Sequence, residues 1–210
     1  MNELFVRSLA GAAMMVVALA CAVLGGYYFA FLVAAAATVM FYEWSRIVRG
    51  WGLEWNIGGF FYALVPALAL LWIRDRADHG MLLILWVFIV TWATDIGAYF
   101  VGRAFGRAKL APSISPNKTV VGLYGGMAVA TLLAGAWVLL AGLNVTLIVL
   151  APLLAMAAQA GDLFESWMKR RAGVKDSGDW LQGHGGLLDR LDGLVPVAIL
   201  TAGAQLAGLA

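Results

Sequence analysis

Seven mostly apolar stretches of this 210-residue chain approach the length of a membrane crossing: about 8–24, 27–44, 57–73, 81–100, 120–141, 145–165 and 187–209. A bilayer's hydrocarbon core is roughly 30 Å thick, and a helix needs about 20 mostly apolar residues to cross it. A membrane β-barrel would instead show alternating segments of about ten residues, which this sequence lacks. Hydrophobic residues make up 63% and charged residues 12%, against about 25% charge in a soluble domain, so a soluble globular protein is excluded. The expected fold class is all-α: a polytopic transmembrane helical bundle of about seven spans, forming one domain over 1–210.

The punctuation fits that reading. Gly25 and Gly26 alone separate the first two spans, which predicts a tight hairpin. Pro66, Pro152 and Pro196 fall inside spans, as membrane helices tolerate, and mark expected kinks. Tyr27, Tyr28, Trp44, Trp51, Trp55, Trp167 and Trp180 cluster near span ends as interfacial anchors do. Cys21 is the only cysteine; it leaves no internal disulfide and no cysteine metal cluster, and reads as a small hydrophobe in a helix. The opening run resembles a secretory signal, yet the topology is more consistent if it stays as the first span. Lys and Arg then divide unevenly. Arg7, Arg46, Arg49, Arg103, Arg107, Lys109, Lys118, Lys169, Arg170, Arg171 and Lys175 lie on one side, and Arg74 and Arg76 on the other. The positive-inside rule makes the N-terminus and both long loops cytoplasmic and the C-terminus external.

Against this apolar background, residues 161–193 form a charged island between two greasy segments. Charged residues near the bilayer centre cost about 2.5–3.5 kcal/mol or more each, so they are usually paired, close to water or functional. Glu43, Asp95, Asp162, Glu165, Asp189 and Asp192 all fall near the cytoplasmic ends of their expected helices. For Glu43 alone, pairing with a nearby cation is the favoured reading; for the set, a common depth argues for a site. Asp162, Glu165, Ser166 and Lys169 share one helix face, and Asp189 and Asp192 are three apart. Oxygen ligands without Cys or clustered His suit Mg²⁺ accompanied by phosphates, and two carboxylate-bridged ions are a common solution for phosphoryl transfer.

The remaining polar residues suit phosphate. Lys169, Arg170, Arg171, Lys175 and Arg190 carry positive charge for an anion. Gly183-His184-Gly185-Gly186 is either a turn whose N–H groups approach a ligand or a plain surface turn. His79 reads as solvated. The 101–119 loop carries Arg103, Arg107, Lys109, Ser115 and Lys118 after Asp95 and Tyr99; it serves either lipid headgroups or the substrate.

Laid out in full, the island resembles the signature of the phosphatidate cytidylyltransferase (CDP-diacylglycerol synthase) family. Ser166, Met168, Lys169, Arg170, Lys175, Asp176, Gly178, Leu181, His184, Gly185, Gly186, Leu187, Asp189, Arg190, Leu191 and Asp192 match it, and Gln182 stands where the family has Pro or Gly. A second, looser match runs through Asp95, Ala98, Tyr99, Gly102, Arg103, Gly106, Ser115, Pro116, Lys118, Thr119, Gly122, Gly125 and Gly126, with Val121 where many members have Glu. The two cover 95–192, a catalytic half of about 90–195, and the chain is short for the family at its N-terminal side.

The resemblance implies a nucleotidyltransferase of phospholipid biosynthesis. CTP and phosphatidic acid would give CDP-diacylglycerol and pyrophosphate at the cytoplasmic face of a bacterial inner membrane. It implies Asp162, Asp189, Lys169, Arg190 and Asp192 as catalytic, with Asp162, Asp189, Glu165 and Asp192 holding Mg²⁺, as two ions of which one can be monovalent. Lys169, Arg170, Lys175, Asp176, His184, Gly185, Gly186, Arg103, Ser115, Lys118, Asp95 and Tyr99 would contact substrate. The partners expected are these two substrates and the bilayer, with no nucleic acid; a homodimer is left open. The alternatives are another CTP-using lipid enzyme such as a polyprenol kinase, or an ion-coupled transporter. Carrier acids lie near the midplane, which disfavours the last, and the CDP-alcohol phosphotransferase motif is absent from the sequence.

Overall fold

Each apolar run satisfies its own backbone hydrogen bonds as a helix, since hydrocarbon offers no other partner to a single segment. The computed structural model describes residues 3–178 and 185–209, with side chains from residue 11 onward. In chain order it comprises α1 (Glu3–Leu24), α2 (Gly26–Ile47), α3 (Leu53–Arg74), α4 (Gly80–Phe105), β1 (Lys109–Ala111), β2 (Ser115–Thr119), α5 (Val120–Ala141), α6 (Thr146–Ala172), α7 (Leu188–Leu191) and α8 (Leu194–Leu206). Five helices, α2 to α6, are long and apolar enough to cross a membrane; Gly11–Leu24 of α1, and α8, are shorter apolar helices. Trp180, Gln182, Gly183 and His184 lie outside the described residues.

The expected single span at 187–209 is two helices, broken at Asp192 and Gly193. Pro196 accounts for the break: a proline ring clashes with the carbonyl four residues earlier, here that of Asp192, but is accepted in a helix's first turn. The Asp192 carboxyl reinforces it by accepting the Gly193 N–H at 2.6 Å. The 13 residues of α8 span about 20 Å, short of the hydrocarbon thickness. Pro66 and Pro152 lie within continuous helices.

The main core surrounds α4, whose Ile84, Trp86, Val87 and Val90 are completely buried. α4 packs on α5 through glycines. A methyl at Gly97 would strike Val129 and the Gly125 carbonyl, and one at Gly126 the Thr94 carbonyl. Small residues allow such close backbone approach in membrane helices. Thr91, Thr94 and Thr201 turn their hydroxyls to carbonyls one turn back, so none of these three hydroxyls is stranded.

Two ties close the remaining ends. At the first hairpin, the Arg74 guanidinium donates to the carbonyls of Ala22 (2.6 Å) and Val23 (3.1 Å), capping α1 with a cation. The 101–119 loop contains an antiparallel hairpin, β1 with β2, pairing Lys109 with Thr119 and Ala111 with Ser115. Thr119 then caps α5 by accepting the Gly122 N–H at 3.0 Å.

Candidate active site

The last turns of α6 present Asp162, Glu165, Ser166 and Lys169 toward the hairpin and α7. Lys169 Nζ donates to Glu165 Oε2 at 2.9 Å and also to Asp189 Oδ1, so one ammonium joins α6 to α7. The other oxygen of Asp189 accepts the N–H groups of Ser177 (3.0 Å) and Gly186 (2.8 Å), and the Ser177 hydroxyl lies 3.0 Å away. Burial pushes the Asp189 carboxyl up, but hydrogen bonds with Glu165, Lys169, Ser177 and Gly186 outweigh it, moving the pKa from 3.8 to about 2. Asp189 is thus a fixed anion.

The hairpin forms the facing wall. Lys118 Nζ meets Asp162 Oδ2 at 2.6 Å, and Ser166 Oγ donates to the other Asp162 oxygen at 3.3 Å. Arg170 Nε donates to the Ile114 carbonyl at 3.3 Å, tying the hairpin to α6. The hairpin thus delivers a lysine to the carboxylate face that sequence spacing identified.

Between the membrane helices lies a cavity of about 550 Å³. Its walls are apolar side chains of α1 to α4, among them Phe29, Val33, Met40 and Leu70, and α8 closes it with Leu194 and Val195. Asp95 and Arg190 also line it, and Asp95 lies within electrostatic reach of Asp162, Lys118 and Arg190. An apolar chamber therefore ends at the charged groups. A more open hollow between α5 and α6, lined by Leu132, Leu139, Ile148 and Pro152, carries no titratable side chain; the chemistry belongs to the first.

Several expected residues are placed differently. Arg103 donates to the Tyr99 hydroxyl at 2.8 Å, both side chains exposed on α4. The Arg171 guanidinium sits 4.5, 5.4 and 5.5 Å from the rings of Trp51, Trp55 and Trp167, in an aromatic cage. Lys175 and Asp176 are exposed. The Gly186 N–H serves Asp189, and Gly185 takes a positive φ of 77°, a conformation glycine accepts without strain. His184 lies outside the described residues.

Among the described residues, no three or more His, Cys, Asp or Glu side chains converge as a ready metal cluster. The donor chemistry nonetheless fits a hard cation. Glu165 Oε1 is buried with no hydrogen-bond partner among the described residues. Burial first, then the charges of Asp162 and Asp95, push Asp192 up to about 8, with the Gly193 N–H and Lys118 offsetting only part. The acids outweigh the local cations, and an oxygen-seeking divalent ion would relieve that imbalance.

Two residues, Glu43 and Ser177, take parts that the sequence reading did not give them. Glu43 is completely buried and, instead of pairing with a cation, accepts backbone N–H groups from Leu187 and Leu188. Ser177 is buried between Glu43 and Asp189. Ser177 occupies a variable position of the signature, so the motif gave no signal; the cue for Glu43 was its place in a helix with no cation at helical spacing except Arg46.

Comparison with known proteins places this geometry in context. Residues 54–205 match the model of the cytidylyltransferase family. The chain is 47% identical over 174 residues to the phosphatidate cytidylyltransferase of Brucella suis biovar 1 (strain 1330), covering 81% of this chain and 62% of that protein. The phosphatidate cytidylyltransferase of Bacillus subtilis (strain 168) is 47% identical over 123 residues, covering 57% and 46%. That of Pseudomonas aeruginosa is 38% identical over 169 residues, covering 75% and 60%. The chain thus spans less than two thirds of these relatives' length. The matched region contains the lysine-bridged carboxylates, the hairpin and α7, and on that match the chain belongs to the cytidylyltransferase family.

Proposed function

We propose that the chain transfers the cytidylyl group of CTP to phosphatidic acid, forming CDP-diacylglycerol and releasing pyrophosphate. The observation that carries this reading is the apolar cavity ending at Asp95 and Arg190 beside the Lys118–Asp162 pair. A lipid phosphate needs that combination: a chamber for acyl chains and cations at its charged end. The relatives' names favour the same chemistry.

An oxygen of the lipid phosphate attacks the α-phosphorus of CTP, a new P–O–P linkage forms, and the bond to the β-phosphate breaks with its electrons leaving on pyrophosphate. The nucleophile is already anionic, so the protein supplies position and charge neutralisation. Arg190 and Lys118 orient the lipid phosphate at the cavity mouth. Lys169, Arg170 and Lys175 hold the triphosphate, and Arg103, Ser115, Tyr99, Asp176, His184, Gly185 and Gly186 complete the contacts. Asp162 and Asp189, supported by Glu165 and Asp192, would hold Mg²⁺, which when bound neutralises the charge developing on the phosphates. The site faces the cytoplasm of a bacterial inner membrane in a seven-span topology with a cytoplasmic N-terminus, supported by the distribution of Lys and Arg.

The test is direct. Purified protein in phosphatidic acid micelles is expected to form CDP-diacylglycerol from CTP, and not from ATP, only with a divalent cation present. A folded sample that makes none, or that phosphorylates a polyprenol instead, would overturn the proposal.

A further inference from the structure

We infer that Glu43, on α2 and upstream of the residues matched by the family model, is a positioning residue that sets the active-site loop and, through Ser177, orients Asp189. The inference rests on the function proposed above for its kinetic arm only.

Glu43 is completely buried. Its Oε1 accepts the Leu187 N–H at 3.0 Å; its Oε2 accepts the Leu188 N–H at 2.8 Å and the Ser177 hydroxyl at 2.9 Å. One carboxylate from a distant helix thus holds two described segments at once, at Ser177 and at Leu187–Leu188. The same Ser177 hydroxyl lies 3.0 Å from Asp189 Oδ2. A hydroxyl has one proton to donate. Asp189 Oδ2 already accepts two backbone N–H groups, one of them that of Ser177, so the hydroxyl proton goes to Glu43 Oε2 and fixes the residue whose N–H holds Asp189.

Packing leaves no slack around this contact. A methyl at Gly178 would run into the Glu43 carboxylate, and one at Gly186 into both Ser177 Oγ and Glu43 Oε2. Leu188, also completely buried, seats α7 against Met40, Trp44 and Val195. Among the described residues Glu43 makes no ion pair, so its role is not to balance a cation. An acceptor-only group is required: in Glu43→Gln, one end of the side chain becomes a donor facing other donors, and at least one buried N–H loses its partner.

Wild type, Glu43→Gln and Ser177→Ala are compared in detergent micelles by trypsin cleavage after the exposed Lys175 and by steady-state kinetics with CTP and phosphatidic acid. Cleavage after Lys175 is expected to quicken at least about fivefold in Glu43→Gln, as a locally opened segment is cut in proportion to its open population. Its kcat is expected to fall about 10–100-fold, the usual loss when a group supporting a ligand is removed, with the KM for CTP within about threefold of wild type. Ser177→Ala should lower kcat likewise, and the double variant should be little worse than either single one. Wild-type cleavage, an unchanged kcat, or a loss confined to KM would overturn the inference; if Glu43→Gln does not fold, Ser177→Ala decides by the same criteria. A wild type that makes no CDP-diacylglycerol sinks the proposed function instead, and the cleavage rates still decide whether Glu43 holds the loop.

Discussion

Lys118 of the hairpin and Asp162 of α6 meet at 2.6 Å, their side chains 17% and 31% exposed. Two segments far apart in the chain are thus joined by one ion pair near the charged end of the cavity. Replacing Lys118 with Met keeps the length and removes the charge. Turnover is expected to fall about 10²–10³-fold, the scale seen when one preorganised charge-stabilising donor is removed. A steady-state rate within twofold of wild type would remove Lys118 from the site.

Asp189→Asn should abolish CDP-diacylglycerol formation while the helical circular dichroism stays unchanged. Asparagine retains one acceptor for the Ser177 and Gly186 N–H groups but loses the charge that Lys169 and a divalent ion require. Measurable turnover in a folded Asp189→Asn sample would remove Asp189 as a metal ligand.

The depressed pKa of Asp189 also has a thermodynamic signature. Its folded value of about 2 lies below the ordinary 3.8, so the ionised group adds stability above about pH 4, and that contribution fades as pH falls toward 2. Melting temperatures of wild type and Asp189→Asn, measured without divalent ions, should therefore differ most at neutral pH and converge below pH 4. A gap that widens on acidification would contradict the hydrogen-bond set assigned to Asp189.

Gly97→Ala places a methyl against Val129 and the Gly125 carbonyl, whereas Gly203→Ala points into open space. The first is expected to destabilise by about 1–3 kcal/mol, as overpacking does. The second should be neutral or slightly stabilising, since alanine is the better helix former. Detergent melts of the two variants would distinguish them, and equal melting temperatures would argue against the α4–α5 packing.

A cysteine appended at the C-terminus of a Cys21→Ser variant reports the topology. Labelling by an impermeant maleimide from outside intact cells is expected. Exclusive labelling from within would overturn the seven-span proposal and leave the five long helices.

Much of this architecture was legible because hydrophobic length alone dictates a membrane helix. The helix expected at 120–141 coincides with α5, and the helices of the other five early stretches run up to about two turns past the expected edges. The exception is 187–209, where apolar content overrode the local effect of Pro196 on the Asp192 carbonyl. The carboxylate face of α6 was readable from i, i+3 and i+7 spacing. Its partnership with Lys118 was not, because a β-hairpin turned the chain back through side chains with no periodicity of their own. The second motif's glycines carried a different meaning from the one glycine-rich loops invite: Gly122, Gly125 and Gly126 let α4 and α5 touch. Ser177, and the backbone contacts of Glu43, were hidden because they are long-range and go largely to N–H groups, which leave no pattern in a single sequence.

The glycine seam gives the site two walls of different construction. Asp95 and Lys118 ride on α4, the hairpin and α5, held where α4 and α5 meet backbone to backbone. Asp189 and Arg190 ride on a four-residue helix fixed by side chains: the Glu43 carboxylate, the Lys169 ammonium and the buried Leu188. One wall can therefore be reset by exchanging a single side chain, whereas the other moves only if two main chains part.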